Sequence, residues 1–221
     1  MALQYYLEQL NRMLPQAYDE LPAGSLEERL GDAVREFSRF VPRLRAKDYS
    51  GDGSTYTLDL PNDWDERFSR IVSIESPQGE QEPTYLDPWE YTVYLTPDGY
   101  QLRLFSTPSD TTTVRVAYTA LHRVNSQDDT VPEAHKRALC YLAASMAARN
   151  LAAKYAGFTD PSITADAIGY TTKQREYNSQ ADFYMNLFKL HLAMKPGDLA
   201  PAAASWGQLQ FDIIERQGVE P

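Results

Sequence analysis

The fold class is indicated most clearly by residues 130–157, TVPEAHKRALCYLAASMAARNLAAKYAG. Alanine has the highest helix propensity, and its small side chain lets neighbouring helices approach closely. Thr130 and Glu133 are spaced as a capping box, with Pro132 in the first turn, and Gly157 is a helix stop. The stretch therefore predicts a long helix over Val131–Tyr155 that packs against other helices on nearly every face.

Helical periodicity continues on both sides of this stretch. One further helix is predicted from Thr164 to Leu192, and two are predicted before Pro42, separated by Pro15 and begun by a Ser25–Glu28 capping box. Their apolar stripes are Leu3, Leu7, Leu10 and Leu14; Leu26, Leu30, Val34, Phe37 and Val41; and Tyr170, Tyr177, Ala181, Tyr184 and Phe188. No single stripe can be buried alone, so we expect a four-helix bundle.

Between the helical halves the period changes to two. Alternation such as Tyr56, Leu58 and Leu60 predicts strands, and short turn sequences separate them. Strands without intervening helices predict an antiparallel meander, with the clearest hairpin at Pro97-Asp98-Gly99. The predicted strand regions are 56–60, 68–74, 84–86, 91–95, 101–105 and 112–119.

The expected fold class is thus α+β, mainly α: a four-helix bundle with an inserted antiparallel β domain and an extended C-terminal arm. The expected domains are residues 1–48 (first half of the bundle), 49–124 (inserted β domain), 125–194 (second half of the bundle) and 195–221 (arm).

Composition limits the classes of function. The formal charge is −10 and the isoelectric point is about 4.8, which argues against wrapping nucleic acid. The N-terminus lacks the features of a signal peptide, and no window is apolar enough to span a membrane. Cys140 is the single cysteine, so no internal disulfide can form. We expect an acidic, soluble protein made in the cytoplasm.

No catalytic or metal-binding pattern is present, so we predict no catalytic residue, no metal and no cofactor. His122, His135 and His191 lack neighbouring ligands, which favours surface or capping roles, and Cys140 has the setting of a buried structural residue. The acidic stretch Asp59, Asp63, Asp65 and Glu66 contains ligands suitable for Ca²⁺, but without EF-hand order it is more typical of a solvated loop.

Two features leave alternatives open. Arg43, Arg45 and Lys47 could contact an acidic partner or DNA phosphate, but three charges are more typical of a solvated helix end. The 15 tyrosines and 3 tryptophans suit protein interfaces and internal packing equally. An accessory carbohydrate- or protein-binding module that uses the Tyr/Trp-rich β insertion is the alternative function. A hydrolase that uses Asp63 and Glu66 is a third.

The chain resembles the head–tail connector proteins of tailed bacteriophages, also called adaptor or head-completion proteins. The similar phrases are DDTVPEAHKRALCYLAASMAARNLAAKY, ADAIGYTTKQREYNSQADFYMNLF, LDLPNDWDERFSRIVSIESP and VRVAYTALHRV, and the resemblance covers residues 1–194. It implies a non-enzymatic virion protein of the neck. Such proteins form a twelve-fold ring beneath the portal, extend the DNA channel without sequence-specific binding, and dock the next neck or tail protein.

Two sets of site residues follow. Small and aromatic side chains on the last two helices predict a subunit interface at Ala143, Ala147 and Tyr184. Residues 195–221 carry an apolar cluster that is costly to leave in water. Because the family extends C-terminal arms onto the portal, the resemblance implies a portal-docking arm, mobile in the free subunit and ordered in the neck. Its predicted contacts are Trp206, Leu209, Phe211, Ile213 and Ile214.

Overall fold

The computed structural model describes residues 2–97, 99–157 and 164–193. These residues fall into two compact units, a helical unit up to Phe40 and from His122 onward, and a strand unit from Val41 to Leu121. The predicted α+β class is confirmed. The C-terminal arm predicted at residues 195–221 lies outside the described residues.

The described part of the helical unit contains five α-helices and a 3₁₀ turn. The α-helices are α1 (Ala2–Met13), α2 (Pro15–Glu20), α3 (Ser25–Phe40), α4 (Lys136–Ala156) and α5 (Thr164–His191); the 3₁₀ turn is Glu133–His135. The long helices α3, α4 and α5 were predicted. The short helix α2 was not, because Pro15 was taken only as a stop, whereas it occupies the first turn of α2, where proline is favourable.

Helix α4 is the centre of the helical unit. It packs against α5 and α3 and also contacts α1 and α2. Twelve of its residues are buried, six of them alanines. Small side chains on several faces let one helix contact several neighbours at short range, as the sequence predicted. On α1 the buried side chains are Tyr6 and Leu10, while Leu3 and Leu7 are half-buried.

Both predicted capping boxes are wrong in detail. The Glu28 N–H donates to the Gly24 carbonyl oxygen at 3.0 Å, and Ser25 already lies inside α3. Thr130 belongs to a loop, where its hydroxyl accepts a hydrogen bond from the Arg123 N–H at 2.8 Å. Its side chain is therefore engaged elsewhere, and α4 begins only after the 3₁₀ turn.

In its described residues the strand unit contains two three-stranded antiparallel sheets. The strands are β1 (Arg43–Ser50), β2 (Thr57–Asp59), β3 (Ile71–Glu75), β4 (Tyr91–Thr96), β5 (Gly99–Leu104) and β6 (Thr113–Ala120). The sheet orders are β1-β6-β3 and β2-β5-β4. The predicted meander is therefore wrong, since the first strand pairs with the last. The predicted hairpin is confirmed, with Thr96 opposite Gly99.

One apolar core holds the two sheets together. Its buried side chains come from both sheets: Ile74, Leu102, Leu104, Val114 and Val116. Next to this core Gly51 donates its N–H to the Thr112 carbonyl oxygen at 2.8 Å. A Cβ at Gly51 would lie 2.1 Å from the Ser109 carbonyl oxygen, so only glycine fits this close backbone approach.

Candidate assembly surfaces

Two of the three residues predicted at a subunit interface lie on α4. Ala143 and Ala147 are each 0% exposed. On another face of α4 the buried Ser145 hydroxyl donates to the Ala181 carbonyl oxygen of α5 at 2.8 Å, which satisfies this hydroxyl. Both alanines thus pack inside the chain, and their role in contacts between subunits stays a prediction.

Tyr184, the third residue of that set, is half-buried on α5. Its hydroxyl donates to the Met13 carbonyl oxygen at 2.9 Å, and its ring stacks on Tyr141 with centroids 6.4 Å apart. Burial raises the pKa of its hydroxyl. Tyr184 therefore satisfies a carbonyl at the end of α1, one of the groups that helix termini leave open. Its contact with another subunit also stays a prediction.

A tyrosine stack at the end of α4 was not predicted. The Tyr155 ring stacks on Tyr177 at 5.6 Å and on Tyr170 at 6.0 Å. Its hydroxyl donates to the Glu20 carboxylate, which raises the pKa of Tyr155. Lys173 lies 3.2 Å from the same hydroxyl. The stack joins α2, α4 and α5. The seven-residue spacing of Tyr170 and Tyr177 was the available signal.

His122 and His135 lie near the buried Phe37, and His191 lies next to His135. His122 is 5% exposed, so the surface or capping role predicted for it is wrong. Its Nδ1 donates to the Thr130 carbonyl oxygen at 2.9 Å, and its ring lies 5.4 Å from Phe37. The His135 ring lies 6.0 Å from Phe37 and 5.5 Å from His191. These ring contacts pack the segment that leads into α4 against Phe37 of α3.

Cys140 and Asp63, two of the residues considered for catalysis, have structural roles in the fold. Cys140 is buried, as predicted, and burial raises the pKa of its thiol to about 12. Asp63 accepts a hydrogen bond from the Tyr118 hydroxyl at 2.5 Å and lies 3.6 Å from Nε of Arg45. Within the described residues, no three potential ligands converge on a site for a metal ion.

Arg43, Arg45 and Lys47 belong to strand β1, so the helix-end interpretation is wrong. This strand has β6 as its single neighbour among the described strands and forms an outer edge of its sheet. Lys47 lies over the Tyr49 ring, with Nζ 4.6 Å from the centroid. The three cations therefore form a row along one sheet edge.

Several large apolar side chains of the strand unit are exposed. Trp89 is 71% exposed, Tyr85 58% and Leu44 64%; Tyr56, Leu95, Tyr100 and Phe105 are also exposed. A contiguous exposed apolar patch is typical of a contact surface, whereas single exposed apolar side chains occur on most proteins. The predicted portal-docking residues Trp206, Leu209, Phe211, Ile213 and Ile214 lie outside the described residues.

A family model described as SU10 adaptor protein matches residues 4–183, most of the chain and nearly all of its described part. The chain belongs to this family. No curated protein matches the chain. The family is one of phage head–tail adaptors, so the resemblance inferred from sequence is confirmed.

Membership in the SU10 adaptor family has two direct consequences. The protein is a structural component of a phage virion and not an enzyme, as predicted. The family also implies binding to portal or tail components. None of the helices in the described ranges is long and apolar enough to cross a membrane.

Proposed function

We propose that the protein forms a twelve-fold ring beneath the portal in the virion neck, extends the DNA channel, and docks the next neck or tail protein. The observation that carries this proposal is the family match over residues 4–183, since the family consists of head–tail adaptors. A closed ring of identical subunits requires contacts between two different surfaces of the chain, repeated around the axis.

We further propose that the segments of the chain have different structural roles. The helical unit serves as a four-helix bundle built on α1, α3, α4 and α5, with the strand unit inserted between its halves. The proposal is supported by the contacts of α4 with each of the other three helices.

The net charge supports passage of DNA through the ring. At −10 per chain, a twelve-fold ring would carry strong negative charge. DNA phosphates bind proteins through lysine and arginine, and an acidic lumen would repel the phosphates instead. We therefore propose that DNA slides through the channel without sequence-specific binding.

The C-terminal arm, residues 195–221, is the proposed portal contact. Its apolar residues Trp206, Leu209, Phe211, Ile213 and Ile214 would each contribute roughly 1.5–3 kcal/mol if buried against the portal. The test compares the full chain with a chain truncated after Lys195 for binding to the portal protein of the same phage. The truncated chain should keep the helical circular dichroism and thermal transition of the full chain but should not bind the portal. Full-strength portal binding by the truncated chain would contradict the proposed role of the arm.

A further inference from the structure

The sheet β1-β6-β3 carries opposite charges along its two outer edges. Its β1 edge contains Arg43, Arg45 and Lys47 within five residues. The carboxylate of the same strand, Asp48, is neutralised by a two-point ion pair with Arg115, at 2.7 and 2.9 Å. Arg45 is paired with Asp63, so the positive charge of the β1 edge comes from Arg43 and Lys47, within a strand unit that is acidic as a whole.

The backbone of the β1 edge is open. The Gly51 N–H donates to the Thr112 carbonyl oxygen, which marks a hydrogen-bonded pair of the β1–β6 ladder. Because such pairs alternate along antiparallel strands, the N–H and C=O groups of Leu44, Ala46 and Asp48 point away from β6. All three residues are exposed. An open edge of this length is a ready site for contact with another chain.

The opposite edge of the sheet is acidic and aromatic. Residues 84–86 run along β3, since the Leu86 N–H donates to the Ile74 carbonyl oxygen at 2.8 Å and Tyr85 pairs with Glu75. Residues 71–102 contain no lysine or arginine, and their acidic members include Glu75, Glu80, Glu82, Asp87 and Glu90. Tyr85 and Trp89 project large exposed rings from this stretch. We call residues 80–90 the acidic edge.

We infer that the β1 edge of one subunit contacts the acidic edge of the next subunit in the ring. This inference rests on the proposed ring. A head-to-tail contact between two different surfaces of one chain is the kind that generates a closed ring. Opposite charges would steer and orient the contact, and the exposed Leu44, Tyr85 and Trp89 would supply apolar area. Two acidic edges would repel each other, as would an acidic edge and DNA.

Charge reversal tests the contact. The first variant combines Arg43→Glu with Lys47→Glu, which leaves Arg45 beside Asp63. The second combines Glu82→Lys with Asp87→Lys. Ring assembly on the portal of the same phage is followed by electron microscopy and by particle mass. Each variant alone brings like charges together at every contact, so we expect complete rings to be lost.

Rescue makes the test specific. An equimolar mixture of the two variants offers complementary edges in an alternating order, and a chain carrying all four substitutions has both edges reversed. Complete rings should return in both cases. If either variant assembles alone as wild type does, or if neither the mixture nor the combined chain restores rings, the inferred contact is wrong.

Controls separate this contact from general effects of charge and from the proposed function. Two control variants change the net charge equally at exposed positions outside β1 and outside residues 80–90: Arg67→Glu with Arg103→Glu, and Glu66→Lys with Asp110→Lys. Both should assemble normally. If a double variant does not fold, the single changes Lys47→Glu and Glu82→Lys repeat the test. Failure of the wild-type chain to assemble on the portal would contradict the proposed function itself.

Discussion

Replacing Ala147 by leucine should destabilise the helical unit by about 1–3 kcal/mol, the usual cost of adding side-chain carbons to a packed core. Ala147 is 0% exposed, and so are its neighbours Ala143, Ala144 and Ala148 on α4. Because these neighbours are buried as well, the added carbons can be accommodated only by displacing packed side chains or neighbouring helices. We therefore expect a cost in the upper part of that range.

Urea unfolding followed by circular dichroism measures this cost as a fall in the midpoint concentration at an unchanged slope. Thermal unfolding should show a melting temperature lower by about 2–4 °C for each kcal/mol. Arg149→Leu is the matched control, because it introduces the same side chain at an exposed position of the same helix. An unchanged midpoint for Ala147→Leu would refute the placement of Ala147 in a tightly packed helix contact.

Three further predictions concern single positions. Gly51→Ala should destabilise the strand unit by about 3 kcal/mol in urea unfolding, because the new Cβ meets the Ser109 carbonyl oxygen. Ser145→Ala should lower the free energy of unfolding by about 1 kcal/mol, since the hydrogen bond to the Ala181 carbonyl is lost. The pKa of Cys140 is raised from 9.0 to about 12 on folding, so its contribution to stability is complete below pH 9 and is lost as the pH rises toward 12. Cys140→Ala should therefore flatten the decline of stability measured over that alkaline range.

Each of these predictions has its own check. Gly31→Ala, at a helical glycine with open space around its Cβ position, should not destabilise. Ser179→Ala, at an exposed position of α5, should be close to neutral. For Cys140, a thiol reagent should modify the protein only when it unfolds, and rapid labelling of the folded protein at neutral pH would contradict the buried placement.

The helices α1, α3, α4 and α5 were predictable because their signals are local. The alanine-rich composition of α4 and the aromatic spacing of α5 follow directly from helix propensity and the period of 3.6 residues. The hairpin between β4 and β5 was equally clear, because a two-residue turn between alternating strands determines its own pairing.

Strand β1 was missed because its sequence, RLRAKDYS, has no apolar face. Because β1 is an outer strand, it pairs with a single described strand. That strand is β6, which lies about 70 residues further along the chain. An alternation of apolar and polar residues can indicate a strand, but it does not indicate which distant strand will pair with it. Thr130 illustrates the same limit, because its hydroxyl bonds to Arg123 in a tertiary contact that a capping pattern does not reveal.

The candidate assembly surfaces were predicted only in part. Small residues on α4 indicated close packing, but their sequence does not say whether the neighbour is another helix of the same chain or of another subunit. The charged edges depend on strand order: Arg43 and Glu82 lie on opposite sides of one sheet only because β6 runs between β1 and β3. Such an arrangement becomes visible in the folded chain and not in the sequence.

The central claim, that this adaptor forms a ring on the portal, is tested most directly by electron microscopy of the full-length chain mixed with the portal protein of the same phage. We expect particles in which twelve copies form a closed ring against one face of the portal, continuous with its channel. Portal particles without added density, or with the chain bound in a ring that blocks the channel, would contradict it.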